Sequence, residues 1–111
     1  MPDKQTKIVI PNKELETKIP VGATADITID NTVDVLLFCI NQPENLQQGF
    51  TPKEMVENSD LYTYLEKHRD DSEVEVTVSQ YNKLKKKFES SRGWGGINTG
   101  IVELAKFFKA N

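Results

Sequence analysis

An α+β fold is predicted from three observations on this 111-residue chain. Apolar and polar residues alternate with period two in short runs over the first thirty positions. A helix start is written almost in full at Gly49-Phe50-Thr51-Pro52-Lys53-Glu54-Met55. Beyond it, apolar residues recur mainly at helical spacing. The expected architecture is a short N-terminal antiparallel sheet of two or three strands packed on three or four helices. It forms a single domain over 1–111, strand-rich over 1–30 and mainly helical over 31–111.

The strand signals begin at Lys7-Ile8-Val9-Ile10, a β-branched run stopped by the turn pair Pro11-Asn12. Leu15, Thr17 and Ile19 alternate with charged residues, and Ala25, Ile27 and Ile29 alternate with polar ones, with Pro20-Val21-Gly22 as the turn between them. Together these read as a meander that needs a helix to pack on. Val33, Leu36, Leu37 and Ile40 fall at i, i+3, i+4 and i+7, which predicts that helix, with Asp30, Asn31 or Thr32 as its cap. A buried strand over 33–40 is the alternative.

At the second helix, Thr51 is a preferred N-cap, Pro52 suits the first helical position and Glu54 completes a capping box. Phe50 and Met55 have the spacing of a hydrophobic staple. The helix is expected to run from Pro52 to about Arg69, with Met55, Tyr62 and Leu65 sharing one face and Leu61 and Tyr64 widening it. A break near Ser59 is the alternative. Val74, Val76 and Val78 then read as a strand or an extended connector. Ser79 is expected to cap a third helix facing the core through Tyr81, Leu84 and Phe88. Gly93-Trp94-Gly95-Gly96 breaks the chain, and Asn98 or Thr99 caps a last helix with Ile101, Leu104, Ala105 and Phe108 inward.

The longest apolar run, Val35 to Ile40, is too short to span a bilayer. The N-terminus has no apolar core of a secretory signal, and Cys39 stands alone, so a reducing, cytoplasmic setting is expected. A net charge of −3 argues against tracking phosphates, so no nucleic-acid partner is expected, and no membrane partner either.

No reaction centre stands out. Cys39 lies in an apolar run, where a thiol is a small hydrophobe, and His68 lies near the charged end of a helix. A zinc site lacks ligands, and Asp70, Asp71, Glu73 and Glu75 lack the spacing of a calcium loop. Arg92-Gly93-Trp94-Gly95-Gly96 is neither a Walker loop nor a dinucleotide fingerprint. Lys83, Lys85, Lys86 and Lys87 read as the solvated side of a helix. No catalytic residue, cofactor or metal is therefore expected. The last helix carries apolar residues on more than its inward face, and Trp94 stands beside it in a glycine-rich loop. Trp94, Val102 and Phe107 are thus the expected partner-binding residues, for self-association or another protein.

Leu36-Leu37, Gly49-Phe50-Thr51 with Glu54-Met55, Leu65-Glu66, Val76 to Ser79, Tyr81, Leu84, Trp94 and Ile101-Val102 form a pattern over residues 33–108. It resembles small proteins encoded by tailed bacteriophages. The members are mostly uncharacterised, and no catalytic residue carries over. The resemblance implies a non-enzymatic accessory or assembly protein that acts through contacts, in the bacterial host cytoplasm or on the virion. An acidic inhibitor of a host defence enzyme is the second expectation, and an enzyme with a Cys/His site a distant third.

Overall fold

The computed structural model describes residues 7–20, 26–42, 47–91 and 98–110. The order is β1 (Lys7–Pro11), β2 (Glu14–Pro20), β3 (Asp26–Asn31), α1 (Thr32–Ile40), α2 (Pro52–Lys67), β4 (Glu73–Thr77), α3 (Val78–Glu89) and α4 (Thr99–Ala110). The fold is α+β, with two antiparallel ribbons and four helices among the described residues. The turn at 21–25, the loop at 43–46 and the glycine-rich segment 92–97 lie outside those residues.

The strands do not form the expected meander. β2 pairs with β3, but β1 leaves them and pairs with β4, over sixty residues away. The reason lies in matched faces. Ile8 and Ile10 of β1 stand opposite Val76 and Val74, so two β-branched rows form one apolar surface. Ile10, Val74 and Val76 are buried against the helices, which makes 73–77 a strand and not a connector. The ladder parity is set as well. The Asn12 N–H donates to the Ser72 carbonyl directly opposite it, so Ile10–Val74 and Ile8–Val76 are the hydrogen-bonded pairs. Lys7, Val9 and Pro11 therefore turn their backbone groups away from β4. Two contacts on β4 agree: the Thr77 N–H is taken by Gln80 Oε1, and the Glu75 carbonyl accepts the Tyr64 hydroxyl.

α1 is the core helix, with Val33, Val35, Leu36, Cys39 and Ile40 all buried. Asn31 caps it, its side-chain oxygen accepting the Asp34 N–H at 2.9 Å. A helix meets the burial requirement on nearly every side here, because α2, α3, α4 and β3 all surround it.

α2 starts at Thr51 with the capping box closed in both directions. Gly49 before it takes φ +75, a conformation that favours glycine. No break occurs at Ser59, whose hydroxyl donates back to the Val56 carbonyl while the helix continues. Met55 is not a core residue: Leu61 and Leu65 are the buried positions, and Met55 is 56% exposed. At 100° per residue it lies about 100° around the helix from that buried stripe.

α3 is capped by Thr77, two residues earlier than Ser79, because Thr77 and Gln80 have the spacing of a second capping box. Tyr81, Leu84 and Phe88 face the core as expected. Asn98 caps α4, accepting the Ile101 N–H at 3.2 Å. Leu104 and Phe108 are its buried residues, while Ala105 is exposed. The Phe108 ring sits 5.3 Å from both Tyr81 and Phe88, and the Tyr81 hydroxyl donates to the Phe108 carbonyl.

α4 is held close to β2 at Gly100, where a Cβ would stand 2.8 Å from Leu15 Cβ. Gly100→Ala is expected to lose about 1–3 kcal/mol of stability, because the clash is with an atom fixed to the backbone. The helix propensity gained from alanine, about 1 kcal/mol, does not offset it. Urea denaturation of the two proteins checks this, and an unchanged midpoint would contradict it.

Candidate functional site

Among the described residues, a dense polar cluster joins three chain corners. Asn12 sits between β1 and β2, Asn31 and Asp34 at the entry to α1, and Arg69 and Asp71 between α2 and β4. The Asn12 amide donates to the Arg69 carbonyl at 2.9 Å and to the Asp71 carbonyl at 2.7 Å, while its oxygen accepts the Val33 N–H at 3.1 Å. Asn31 adds a second donor to the Arg69 carbonyl at 3.0 Å. The Arg69 guanidinium grips Asp34 through two nitrogens and reaches Asp30 at 3.4 Å. Burial raises the Asp34 pKa, but the Arg69 hydrogen bond, the Asp30 N–H and the Arg69 charge outweigh it and hold the carboxyl below its usual range. Every polar side-chain atom named here has a partner within the protein, so the cluster is occupied by its own structure.

The single cysteine and histidine are committed elsewhere. Cys39 is fully buried in α1, and burial pushes its thiol up to about 12 despite a hydrogen bond with Ser91. His68 ends α2, with Nδ1 2.6 Å from Asp71 and its ring 4.5 Å from that of Tyr64. The thiol thus lacks the thiolate character that nucleophilic catalysis requires. Asp71 of the acidic turn is engaged with His68, and Glu75 with Lys7 at 3.3 Å. Among the described residues no three His, Cys, Asp or Glu side chains stand together as a metal site.

The lysine row of α3 is not uniformly solvated. Lys87 is buried, because it falls three residues after Leu84 on the inward stripe. Its stem runs beneath the surface while the ammonium donates to the Gln42 carbonyl at 2.7 Å and lies 5.4 Å from the Phe50 ring. Lys83 donates to the Glu57 carbonyl at 3.0 Å. These lysines fasten α3 to α1 and α2.

Of the residues expected to bind a partner, Trp94 lies outside the described residues. Val102 is exposed on α4. Phe107 is half-buried, edge-on to Tyr81 at 6.3 Å, and borders a cavity of about 130 Å³ with Pro11, Leu15 and Gly100. Val102 and Phe107 thus lie on different surroundings of one helix.

A second apolar surface stands on α2. Met55 and Val56 are 56% and 72% exposed, and Met55 borders a cleft of about 330 Å³ with Ile40, Phe50 and Tyr62. Phe50 and Met55 meet at this cleft, where the staple spacing had pointed, but at the surface. The period of α2 contains the signal: Met55 and Tyr62 are offset from Leu61 and Leu65, so a second, narrower stripe was there to be read. Among the described residues no helix is long and apolar enough to cross a membrane. No protein-family model matches this chain, and neither does any curated protein or solved structure.

The surroundings of Cys39 set an expected reactivity. With the thiol near 12, about one molecule in ten thousand carries the thiolate at pH 8. Ellman's reagent is expected to leave the native protein unmodified at that pH and to titrate one thiol once urea unfolds it. Rapid reaction of the folded protein would show an activated cysteine.

Proposed function

We propose that this chain is a non-enzymatic accessory or assembly protein that acts through protein–protein contacts. It is of the kind that tailed bacteriophages carry, and it works in the host cytoplasm or on the virion. The observation that carries the reading is Met55, 56% exposed at the rim of an apolar cleft on a well-capped helix, with Val56 next to it in the chain 72% exposed. Scattered exposed apolar residues are ordinary, but Met55 with Phe50 and Tyr62 around the cleft makes a surface suited to a partner's apolar anchor, and Val56 adds an exposed apolar side chain one step further around the helix. Val102 on α4 supplies a further exposed apolar position. The polar clusters that chemistry would need are engaged in holding the chain together, which also supports a role without catalysis.

An acidic inhibitor of a host defence enzyme is the second reading. It is favoured by Asp70, Asp71, Glu73 and Glu75, all exposed along the turn before β4 and on β4, with Asp71 paired to His68 and Glu75 to Lys7. Such a row offers negative charge where a nuclease expects phosphate.

Met55→Ser with Val56→Ser is the test of the leading reading. Both residues are exposed, so the double variant is expected to unfold within about 0.5 kcal/mol of the parent. A protein captured from host lysate by the parent is expected to be lost by the double variant. Equal capture by both would remove this surface from the account. Titration of labelled duplex DNA over a salt series is the companion measurement: tight binding that weakens steeply with salt would replace protein contact with phosphate contact.

A further inference from the structure

The groove between α2 and α3 has walls of opposite charge, and we propose that it receives a segment of a partner protein carrying one acidic and one basic side chain. The groove encloses about 270 Å³, with Glu54, Glu57 and Asn58 on its α2 wall. Asn82, Lys83, Lys86 and Lys87 form the α3 wall. Lys87 is the residue that points to a ligand. It is only 8% exposed, yet among the described residues no carboxylate stands within ion-pair distance of its ammonium. Of its three N–H groups one goes to the Gln42 carbonyl at 2.7 Å, and the Phe50 ring lies 5.4 Å away. A buried cation answered only by a neutral carbonyl and a ring gains most from an anionic oxygen.

Glu54 does not supply that oxygen. Its carboxylate accepts the Thr51 N–H at 2.9 Å in the capping box. The Thr51 backbone and side chain hold the Glu54 carboxyl below its usual range, and the Lys87 charge adds a smaller push from a distance. Glu57 is exposed, and Lys83 bridges the two helices through the Glu57 carbonyl at 3.0 Å without using that carboxylate.

Charge decides what enters. A polyanion meets Glu54 and Glu57 on one wall, and a polycation meets three lysines on the other. A segment with both signs is complementary to both walls at once. Its acidic side chain then lies against Lys86 and Lys87, and its basic one against Glu57. Asn58 and Asn82, one on each wall, offer amides to its main chain. The inference rests on the reading of this chain as one that works through protein contacts, and it names the chemistry of a partner. The groove contains neither Met55 nor Val56, and its test uses synthetic peptides. It therefore fails or succeeds separately from the capture experiment.

Backbone amide shifts followed by NMR during peptide titration are the measurement, at low salt because exposed charges are screened. The probes are acetyl-Glu-Ala-Lys-amide and the reversed acetyl-Lys-Ala-Glu-amide. At least one is expected to saturate the shifts of Asn58, Asn82 and Lys86 with a dissociation constant of about one millimolar. Glutamine in place of the probe's glutamate or lysine is expected to weaken binding about fivefold or more. Lys87→Met keeps the apolar stem without the cation and is expected to do the same. Glu57→Gln changes an exposed side chain, so it gives a second variant whose folding is secure. Absence of saturable shifts with both peptides would overturn the proposal. So would singly charged peptides that bind as well as the probes, or inorganic phosphate that binds more tightly than they do. A folded Lys87→Met or Glu57→Gln protein that binds like the parent would overturn it too.

Discussion

The Arg69 carbonyl accepts two side-chain amides, from Asn12 and Asn31, and most of the topology depends on that meeting point. A connection between a helix and a strand carries backbone groups that neither element can satisfy. Here the short connection after α2 passes its carbonyls to asparagines from two other corners of the chain. Asn12 simultaneously takes the Val33 N–H at the first turn of α1, so one side chain ties the end of β1, the start of α1 and the entry to β4. The Arg69 side chain then reaches back to Asp34 and adds charge to the same knot. With Asp34 largely enclosed and Arg69 part-exposed, the ion pair adds direction more than energy. Thr32 completes the corner by exchanging hydrogen bonds with the Lys13 backbone.

This knot explains a pairing that local patterning cannot. Nothing in Lys7-Ile8-Val9-Ile10 says whether its partner is the next strand or one far along the chain, since both are short and β-branched. What decides is the position of Asn12, held opposite Ser72 and Asp71, which delivers β1 to β4 in register. The helices were legible because their signals are local. Thr51 with Glu54 closes its box, Asn31 and Asn98 serve as caps, and the stripes of α1, α3 and α4 point inward. Thr77 was passed over because it also ends a strand, and the residue after it looked equally suited to continue that strand. Met55 was misplaced because one apolar stripe was assumed where α2 has two.

The distribution of work among the polar residues follows the same logic. Residues that looked like chemistry when read along the chain are used as fasteners in space. His68 closes the end of α2 onto Asp71, Lys87 ties α3 to the carbonyl just past α1, and Cys39 fills the core. Among the described residues, Met55 and Val56 on α2 and Val102 on α4 remain as exposed apolar surface.

The most direct test is the unfolding free energy of Asn12→Ala. The substitution removes three hydrogen bonds, takes the partner from the Asp71 carbonyl and the Val33 N–H, and leaves the Arg69 carbonyl with Asn31 alone. If the knot governs the topology, stability falls by about 2–4 kcal/mol, and the amides of the β1–β4 ladder lose protection before those of α1. A change under about 0.5 kcal/mol, with the ladder as protected as in the parent, would contradict the account.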